Sequence, residues 1–429
     1  MASENNKNSF ILNGPDRWAV IPFYVTAAAF FLGATLLLFA SAQELTGHHF
    51  NPHILAIVHA LVLGWGTMII WGAAYQLLPV LCEGKLYSHR LAFISYMLLC
   101  SGTILLICCF WHFITGAWMI AAGAIVVAAS SIYLYNTCAT VIKSEKTTVY
   151  QYFMVSSAIW LWLTTIMGLL LAINLTYSFI PRDHLQMLKL HAHAGIAGWF
   201  LQLICGVAAK LVPMFVLGKC KKIKLLYFAL ALQNIGLFLF LVHVYFRQMD
   251  NRIFIHLGLV CLGTILWAMF IYLAYKNRLR KKTDVLIRQS LSAFAFLPLA
   301  VITLVLTFIF SGQHWVSLYG VFLLFGWLSG LILGMNFKTL PFIVWNHRYK
   351  DLGNNLQVPL PKDLYKESLI RYQSWLFYLA ITGLSIAVLT QRPWLLKLST
   401  ILWIILALLF CYNVLYVLLH KPHINANKS

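Results

Sequence analysis

Acidic residues are scarce in this chain of 429 residues, which contains 11 Asp and Glu against 31 Lys and Arg. All eleven, from Glu4 to Glu367, fall in loops or tails around long apolar runs. No carboxylate is therefore expected at membrane depth, where proton pumps and carboxylate-coupled transporters keep the groups that relay protons. The sequence disfavours both of these classes.

Cysteine motifs typical of redox or metal sites are also missing. The nine cysteines form no CxxC pair and no zinc-type spacing, and no c-type haem attachment motif is present. Several cysteines, such as Cys108 and Cys109, lie inside apolar runs, where a free thiol packs as a small hydrophobe. We assign the cysteines no chemistry.

Apolar residues are abundant: 61% of the chain is hydrophobic and only 10% is charged. A soluble fold of this size could not bury so much apolar surface, so the composition predicts a polytopic membrane protein with the lipid bilayer as its partner. The net charge of +20 would suggest a nucleic-acid partner in a soluble protein. Here the basic residues lie in short loops between apolar runs, which is typical of membrane topology, and we expect no nucleic acid.

Runs of about 20 apolar residues predict transmembrane helices. The expected fold is all-α, a single membrane domain over 1–429 with 12 helices in three pseudo-symmetric four-helix units near 18–138, 150–277 and 288–420. The predicted helices are 18–45, 54–81, 91–110, 114–138, 150–177, 188–215, 223–246, 253–277, 288–312, 315–345, 371–390 and 393–420.

The distribution of Lys and Arg predicts the orientation. Loops on the side of the N-terminus are rich in basic residues, whereas the opposite loops contain few. Both termini are therefore expected in the cytoplasm, with the protein in the inner cell membrane. The N-terminal tail lacks a basic-then-apolar signal pattern, so the first apolar run is expected to be a retained helix.

One motif occurs three times, in the second, sixth and tenth predicted helices: Gly64-Trp65, Gly72, Pro79; Gly198-Trp199, Gly206, Pro213; and Gly326-Trp327, Gly334, Pro341. Its even spacing indicates a repeated unit. We expect Gly to permit close helix contact, Trp to pack, and Pro to end each helix. Eleven residues after the tryptophans stand Gln76, Lys210 and Lys338; for the lysines we favour snorkelling to the cytoplasmic surface over a proton path.

Two histidines are matched between repeats. His59 and His193 each lie six residues before the repeat tryptophan, so equivalent helices hold them at equivalent depth. Neutral imidazoles presented from two helices are the axial pair that a low-spin haem needs. The alternative is that each is a hydrogen-bonded packing residue, as a lone histidine in a membrane helix usually is.

His191 lies two residues before His193, a rotation of roughly 200° on a helix, so the two rings are expected on opposite sides. His191 is then available to ligate a second haem. The third repeat has Tyr319 and Val321 at these positions and offers no haem ligand there. Tyr319 is a candidate catalytic residue because its hydroxyl can donate a hydrogen bond or a proton.

The segment from His191-Ala-His193-Ala-Gly195 through Gly198-Trp199, Gly206 and Val212-Pro213 resembles the haem-ligating helix of the heme-copper oxidase superfamily. It is most similar to the catalytic subunit of C-type oxidases and to the nitric oxide reductases and NnrS proteins. The resemblance implies twelve helices in three arcs. It also implies one or two b-type haems, with His191 as the proximal ligand of a high-spin haem and His193 and His59 as ligands of a low-spin haem.

The chain departs from that pattern in three ways. The superfamily's His-x-His lies on the tenth helix, whereas here it lies on the sixth. The usual copper-ligand histidine pair and the His-Pro-Glu/Asp-type motif are missing, so copper would need other ligands, for which His53, His112, His243 and His256 are conceivable. Electrons would have to come from another subunit, a cytochrome c or a quinol.

The leading interpretation is a divergent oxidoreductase, resembling a terminal oxidase or nitric oxide reductase, that reduces or binds O2 or NO at a haem near the outer face. A second is a non-catalytic haem protein of the NnrS type that serves the response to NO. A third is a cofactor-free transporter that uses the same twelve-helix frame.

Overall fold

The computed structural model describes residues 15–247, 249–281, 283–350 and 358–421. Within these ranges the protein is all-α, contains no strand, and has 12 helices long and apolar enough to cross a membrane. The prediction of an integral multi-pass membrane protein is confirmed. The helices are α1 (Arg17–Ala40), α2 (Pro52–Leu81), α3 (His89–Trp111), α4 (Ala117–Ile142), α5 (Val149–Asn174), α6 (His184–Val216), α7 (Lys224–Arg247), α8 (Ile253–Lys276), α9 (Val285–Ile309), α10 (Gln313–Arg348), α11 (Glu367–Thr390) and α12 (Pro393–Leu418).

Several predicted boundaries differ by a few residues, and two of the differences have a clear local cause. The first helix ends at Ala40, five residues early, because the chain turns into a 3-10 helix over Ala42–Thr46. The ninth begins at Val285, three residues early, because the Asp284 side chain accepts a hydrogen bond from the backbone N–H of Ile287 at 3.0 Å and caps the helix.

The described chain divides into two compact units. Unit 1 contains the described residues within Leu77–Leu105 and Ile114–Thr283, and unit 2 contains those within Gly14–Gln76, Leu106–Phe113 and Asp284–Ser429. The repeat helix α6 belongs to unit 1, whereas α10 and most of α2 belong to unit 2. The single domain and its three four-helix units stay predictions.

The repeat glycines allow each repeat helix to pack closely against the helix immediately before it in the chain. A Cβ atom at Gly198 would lie 2.5 Å from the Trp160 ring of α5, inside any normal contact distance. The other repeats show the same arrangement, and the second glycine of each motif is equally tight: Gly64 and Gly72 against Phe30 and Phe23, Gly206 against Phe153, and Gly326 and Gly334 against Phe296 and Ser290, at 2.4–2.8 Å. The predicted role of Gly in close helix contact is confirmed.

The repeat tryptophans are buried, with Trp65, Trp199 and Trp327 each no more than 2% exposed. Within unit 2, Trp65 stacks on Phe31 with ring centroids 4.5 Å apart and donates from Nε1 to Ser329 Oγ at 3.2 Å. Their predicted packing role is confirmed, because each buried indole contributes a large apolar area.

The prediction that each repeat proline ends its helix is wrong for Pro341. Pro79 and Pro213 lie within the last few residues of α2 and α6, but α10 continues for seven residues beyond Pro341, to Arg348. The continuation buries Ile343 and Val344 and lets Trp345 donate to the carbonyl of Pro359 at 2.6 Å. These contacts offset the hydrogen bond that proline removes.

The glycine contact is testable by comparing Gly198→Ala with Gly258→Ala, both in unit 1. At Gly198 the added methyl group meets the Trp160 ring and its Cβ, so we expect a loss of about 1–3 kcal/mol in stability. Gly258 has no atom within 4 Å of an added Cβ, so its alanine variant should be neutral or more stable because alanine favours the helix. Thermal unfolding in detergent measures both, and equal midpoints would contradict the packing role.

Candidate functional site

Each repeat helix contains a π-helical segment around its Gly-Trp pair. The segments are Ala60–Thr67 in α2, Ala194–Leu201 in α6 and Val321–Ser329 in α10. Segments of π-helix are rare and occur frequently at functional sites. The sequence does not predict these segments, and the one signal that marks their position is the threefold Gly-Trp motif itself.

His59 is the last α-helical residue before the first π segment. Its Nδ1 lies 2.7 Å from the carbonyl oxygen of Leu55, one turn earlier. The ring stacks on Phe110, with centroids 4.7 Å apart, inside unit 2. Because a carbonyl oxygen only accepts, Nδ1 must carry the proton, and the lone pair of the neutral ring is then on Nε2.

His193 has the same arrangement in unit 1. It is the last α-helical residue before the second π segment, and its Nδ1 lies 2.8 Å from the carbonyl oxygen of Lys189, again one turn earlier. The ring packs beside Phe240 of α7 at 5.3 Å between centroids. The two histidines that the repeat matches in sequence are therefore matched in depth on their helices and in tautomer.

His191 points to the other side of α6, as its two-residue offset predicts. Its Nδ1 lies 2.9 Å from the carbonyl oxygen of Thr164 on α5, whereas His193 faces α7. Gly168, one turn further along α5, makes room for the ring: a Cβ there would lie 2.9 Å from His191 Cε1. Thr164 and Gly168 position His191, and the sequence carries no signal for either.

Tyr319 lies in unit 2, two residues before the third π segment, at the position that His191 occupies in the second repeat. It is partly buried, and Val321, at the position of His193, is 2% exposed. A role for the Tyr319 hydroxyl stays a prediction.

Two of the four conceivable copper ligands meet in unit 1, where the rings of His243 and His256 are 5.2 Å apart. His243 Nε2 lies 3.0 Å from Asp250 Oδ1, and the backbone N–H of Arg252 is the main cause that lowers the pKa of that carboxyl group. In unit 2, His53 packs against Trp111. Across the described residues, no group of three or more His, Cys, Asp and Glu is arranged to hold a metal ion.

The described carboxylates lie where the sequence predicts them. Each is in a loop, in one of the 3-10 helices over Ala42–Thr46 and Pro361–Leu364, or at a helix start, as Glu367 is at the first residue of α11. Two acidic residues, Glu4 and Asp351, lie outside the described residues. Within the described ranges, the middle of every membrane-crossing helix lacks a carboxylate.

The repeat lysines contact groups near helix ends. Lys338 forms an ion pair with Asp284, the cap of α9, and both side chains are less than one third exposed. Lys210 lies over the Tyr150 ring of α5, with its ammonium 5.6 Å from the centroid. Both contacts agree with a lysine that reaches the end of the helix bundle of its own unit.

No family model matches the chain. A similar protein is an uncharacterized protein of Aquifex aeolicus (strain VF5), which is 25% identical over 307 residues, covering 69% of this chain and 73% of that protein. The similarity extends over most of both chains.

The Lys338–Asp284 ion pair is testable by two substitutions. Asp284→Asn keeps an oxygen that can cap α9 but removes the charge, so we expect a loss of about 0.5–1 kcal/mol. Asp284→Ala also removes the cap and should cost about 1 kcal/mol more. Thermal unfolding measures both variants.

The control is Asp183→Asn, because Asp183 caps α6 in the same way, accepting from the backbone N–H of Gln186 at 2.9 Å. The control removes a cap charge and its interaction with the helix dipole without touching Lys338. An Asp284→Asn effect no larger than the Asp183→Asn effect would contradict a stabilising ion pair.

Proposed function

We propose that this chain is a haem-binding membrane protein, similar to the catalytic subunit of heme-copper oxidases, that reduces or binds O2 or NO. His59, His191 and His193 would supply the axial nitrogens of one or two b-type haems. The observation that carries the proposal is the shared state of these three rings: each directs Nδ1 at a backbone carbonyl oxygen, at 2.7, 2.9 and 2.8 Å respectively.

This state is the one that a haem ligand needs. A ligating histidine donates its other ring N–H to a carbonyl or carboxylate, which fixes the tautomer, orients the ring and makes the ligating nitrogen more basic. Backbone carbonyls on a helix are held firmly, so His59 and His193 have their Nε2 lone pairs set by their own helices. His59, His191 and His193 therefore fit a b-type haem.

The conceivable copper ligands His53, His243 and His256 differ from these three rings. His53 has Nδ1 3.8 Å from a Glu44 oxygen, and His243 directs Nε2 at Asp250. Neither of the two His256 ring nitrogens has a hydrogen-bond partner. His59, His191 and His193 thus differ from these three histidines, because each directs Nδ1 at a backbone carbonyl oxygen.

When bound, a b-type haem supplies the redox step and the site for the gas. The chain's own part is to hold the imidazoles, exclude water and admit the gas. Apolar helices suit this task, and the rings of Phe110 and Phe240 pack beside His59 and His193. Tyr319 would donate a hydrogen bond or proton to the site.

The proposal includes an inner-membrane location with both termini in the cytoplasm, and an electron-donor subunit, cytochrome c or quinol as partner. The excess of Lys and Arg in the loops on the side of the N-terminus supports this orientation. A fluorescent reporter that matures only in the cytoplasm, fused after Ser429, should fluoresce. A periplasmic alkaline phosphatase that is active at the same position would contradict the orientation.

The haem proposal is testable by optical spectra of the purified protein in its oxidised, reduced, and reduced CO-treated forms. We expect sharp reduced bands of low-spin haem that are lost in His59→Ala and in His193→Ala, because each removes one axial nitrogen. His191→Ala should keep those bands and lose the CO-induced change. Gly168→Ala should weaken the CO-induced change alone, because its methyl group displaces the His191 ring.

The matched controls are His53→Ala and His256→Ala, which remove imidazoles outside the proposed ligand set and should leave every spectrum unchanged. A colourless wild-type protein from cells supplied with haem would contradict the proposal and favour a cofactor-free transporter. A haem-loaded protein that binds NO or CO but consumes neither O2 nor NO with a reduced donor would be the non-catalytic, NnrS-type alternative.

A further inference from the structure

Two basic loops of unit 1 are joined by hydrogen bonds. One follows α6 and the other follows α8, and they approach closely enough for two backbone N–H groups of the second loop to donate to carbonyl oxygens of the first. The contacts are Leu279 N to Leu217 O at 3.2 Å, Arg280 N to Val216 O at 3.3 Å, and Asn277 Nδ2 to Lys219 O at 3.3 Å. Segments that are about 60 residues apart in sequence thus form one surface.

Gly218 makes this approach sterically feasible. A Cβ atom at Gly218 would lie 2.1 Å from the carbonyl oxygen of Ala274, near the end of α8. The obstructing atom is backbone, which cannot move aside as a side chain can. Any larger residue at Gly218 must therefore separate the two loops.

The joined loops carry a dense positive charge, which we call the basic corner. Seven exposed cations lie on it: Lys219, Lys221, Lys222, Lys224, Lys276, Arg280 and Lys281. Segments 217–224 and 276–281 contain no Asp or Glu. Topology explains why single loops are basic, but it does not require two loops to meet and concentrate like charges that repel each other. An anionic partner would offset that repulsion.

The basic corner also presents apolar side chains. Leu217 is 59% exposed and Leu279 is 80% exposed, and they lie beside each other through the Leu279 N to Leu217 O hydrogen bond. The cations surround exposed leucines and directly follow helices that cross a membrane. This combination suits the boundary between lipid headgroups, which attract the cations, and acyl chains, which accept the leucines. A soluble anion or a nucleic acid would have no use for the leucines.

We propose that the basic corner binds anionic lipid headgroups of the adjacent leaflet, with the cations on the phosphate groups and Leu217 and Leu279 in the upper acyl region. Clusters of four to eight Lys and Arg next to a membrane-spanning helix attract anionic lipid, with roughly 1 kcal/mol per residue near the surface. The site is independent of the haem proposal.

The test uses delipidated full-length protein in neutral detergent, titrated with phosphatidylglycerol or with phosphatidylcholine, and counts retained lipids by native mass spectrometry. We expect retention of phosphatidylglycerol that weakens with salt. Replacing two cations from each loop with Gln (Lys219, Lys221, Arg280 and Lys281) should weaken it at least about tenfold. Soluble glycerol phosphate, added as the free headgroup, should not displace the lipid.

The control replaces four exposed cations of other loops of unit 1 with Gln: Lys85, Arg90, Lys143 and Lys146. It has the same change in net charge and should retain phosphatidylglycerol within about threefold of the wild type. Equal losses in the two variants, or equal retention of phosphatidylcholine by the wild type, would overturn the proposal. Displacement by glycerol phosphate would overturn it in favour of a soluble phosphate ligand.

A second variant, Gly218→Val, keeps every charge but separates the loops. If it unfolds at the same temperature as the wild type, we expect it to bind phosphatidylglycerol less tightly than the wild type. If it unfolds at a lower temperature than the wild type, lipid binding by the four-Gln variant is measured at increasing salt concentration instead. A salt dependence of phosphatidylglycerol binding as steep as that of the wild type would overturn the proposal.

Discussion

Each repeat helix approaches its preceding helix through two positions that must lack a side chain. At Gly198 and Gly206 the side chains of Trp160 and Phe153 occupy the volume where a Cβ would lie, and the corresponding glycines of α2 and α10 are equally tight. In a bilayer, apolar surface gains little from leaving lipid, so close packing of this kind must supply much of the attraction between helices. The position and rotation of each repeat helix depend on it, and so does every side chain that the helix presents.

The π segments lie at the same level as these contacts. The Gly-Trp pair is inside each segment, with the glycine against the preceding helix and the indole fully buried. An extra residue in a helical turn changes the direction of the side chains that precede it relative to those that follow it. His59 and His193 stand at that change. The α-helical turn before the π segment orients their rings, whereas the residues within and after the segment pack the repeat helix against its neighbours.

Much of the fold could be predicted from the sequence, because the bilayer constrains it strongly. Each of the 12 apolar runs became a helix close to its predicted bounds, and the glycine and tryptophan roles followed from the repeat. Proline was less predictable, since the packing of Ile343 and Val344 decides whether α10 continues beyond Pro341. The π segments were not predictable, because an α-to-π change depends on how neighbouring helices pack and not on the residues of the helix alone.

For the site, the repeat identified His59 and His193, and helical geometry placed His191 on the opposite side of α6. The carbonyl partners of His59 and His193 follow from that same helix, one turn earlier. The partner of His191 could not be inferred, because Thr164 and Gly168 belong to another helix and their approach to His191 depends on the tertiary packing of α5 and α6.

The three repeats share their packing positions but differ where chemistry would occur. Glycines and tryptophans occupy the same places in all three, whereas the level of His191 and His193 holds Tyr319 and Val321 in the third repeat. If these histidines served packing alone, the third repeat would need a comparable residue to pack equally well. It packs with a buried valine at the position of His193. An imidazole is therefore not required at that level for the fold, and hydrogen bonds to backbone carbonyls offset part of the cost of burying His191 and His193.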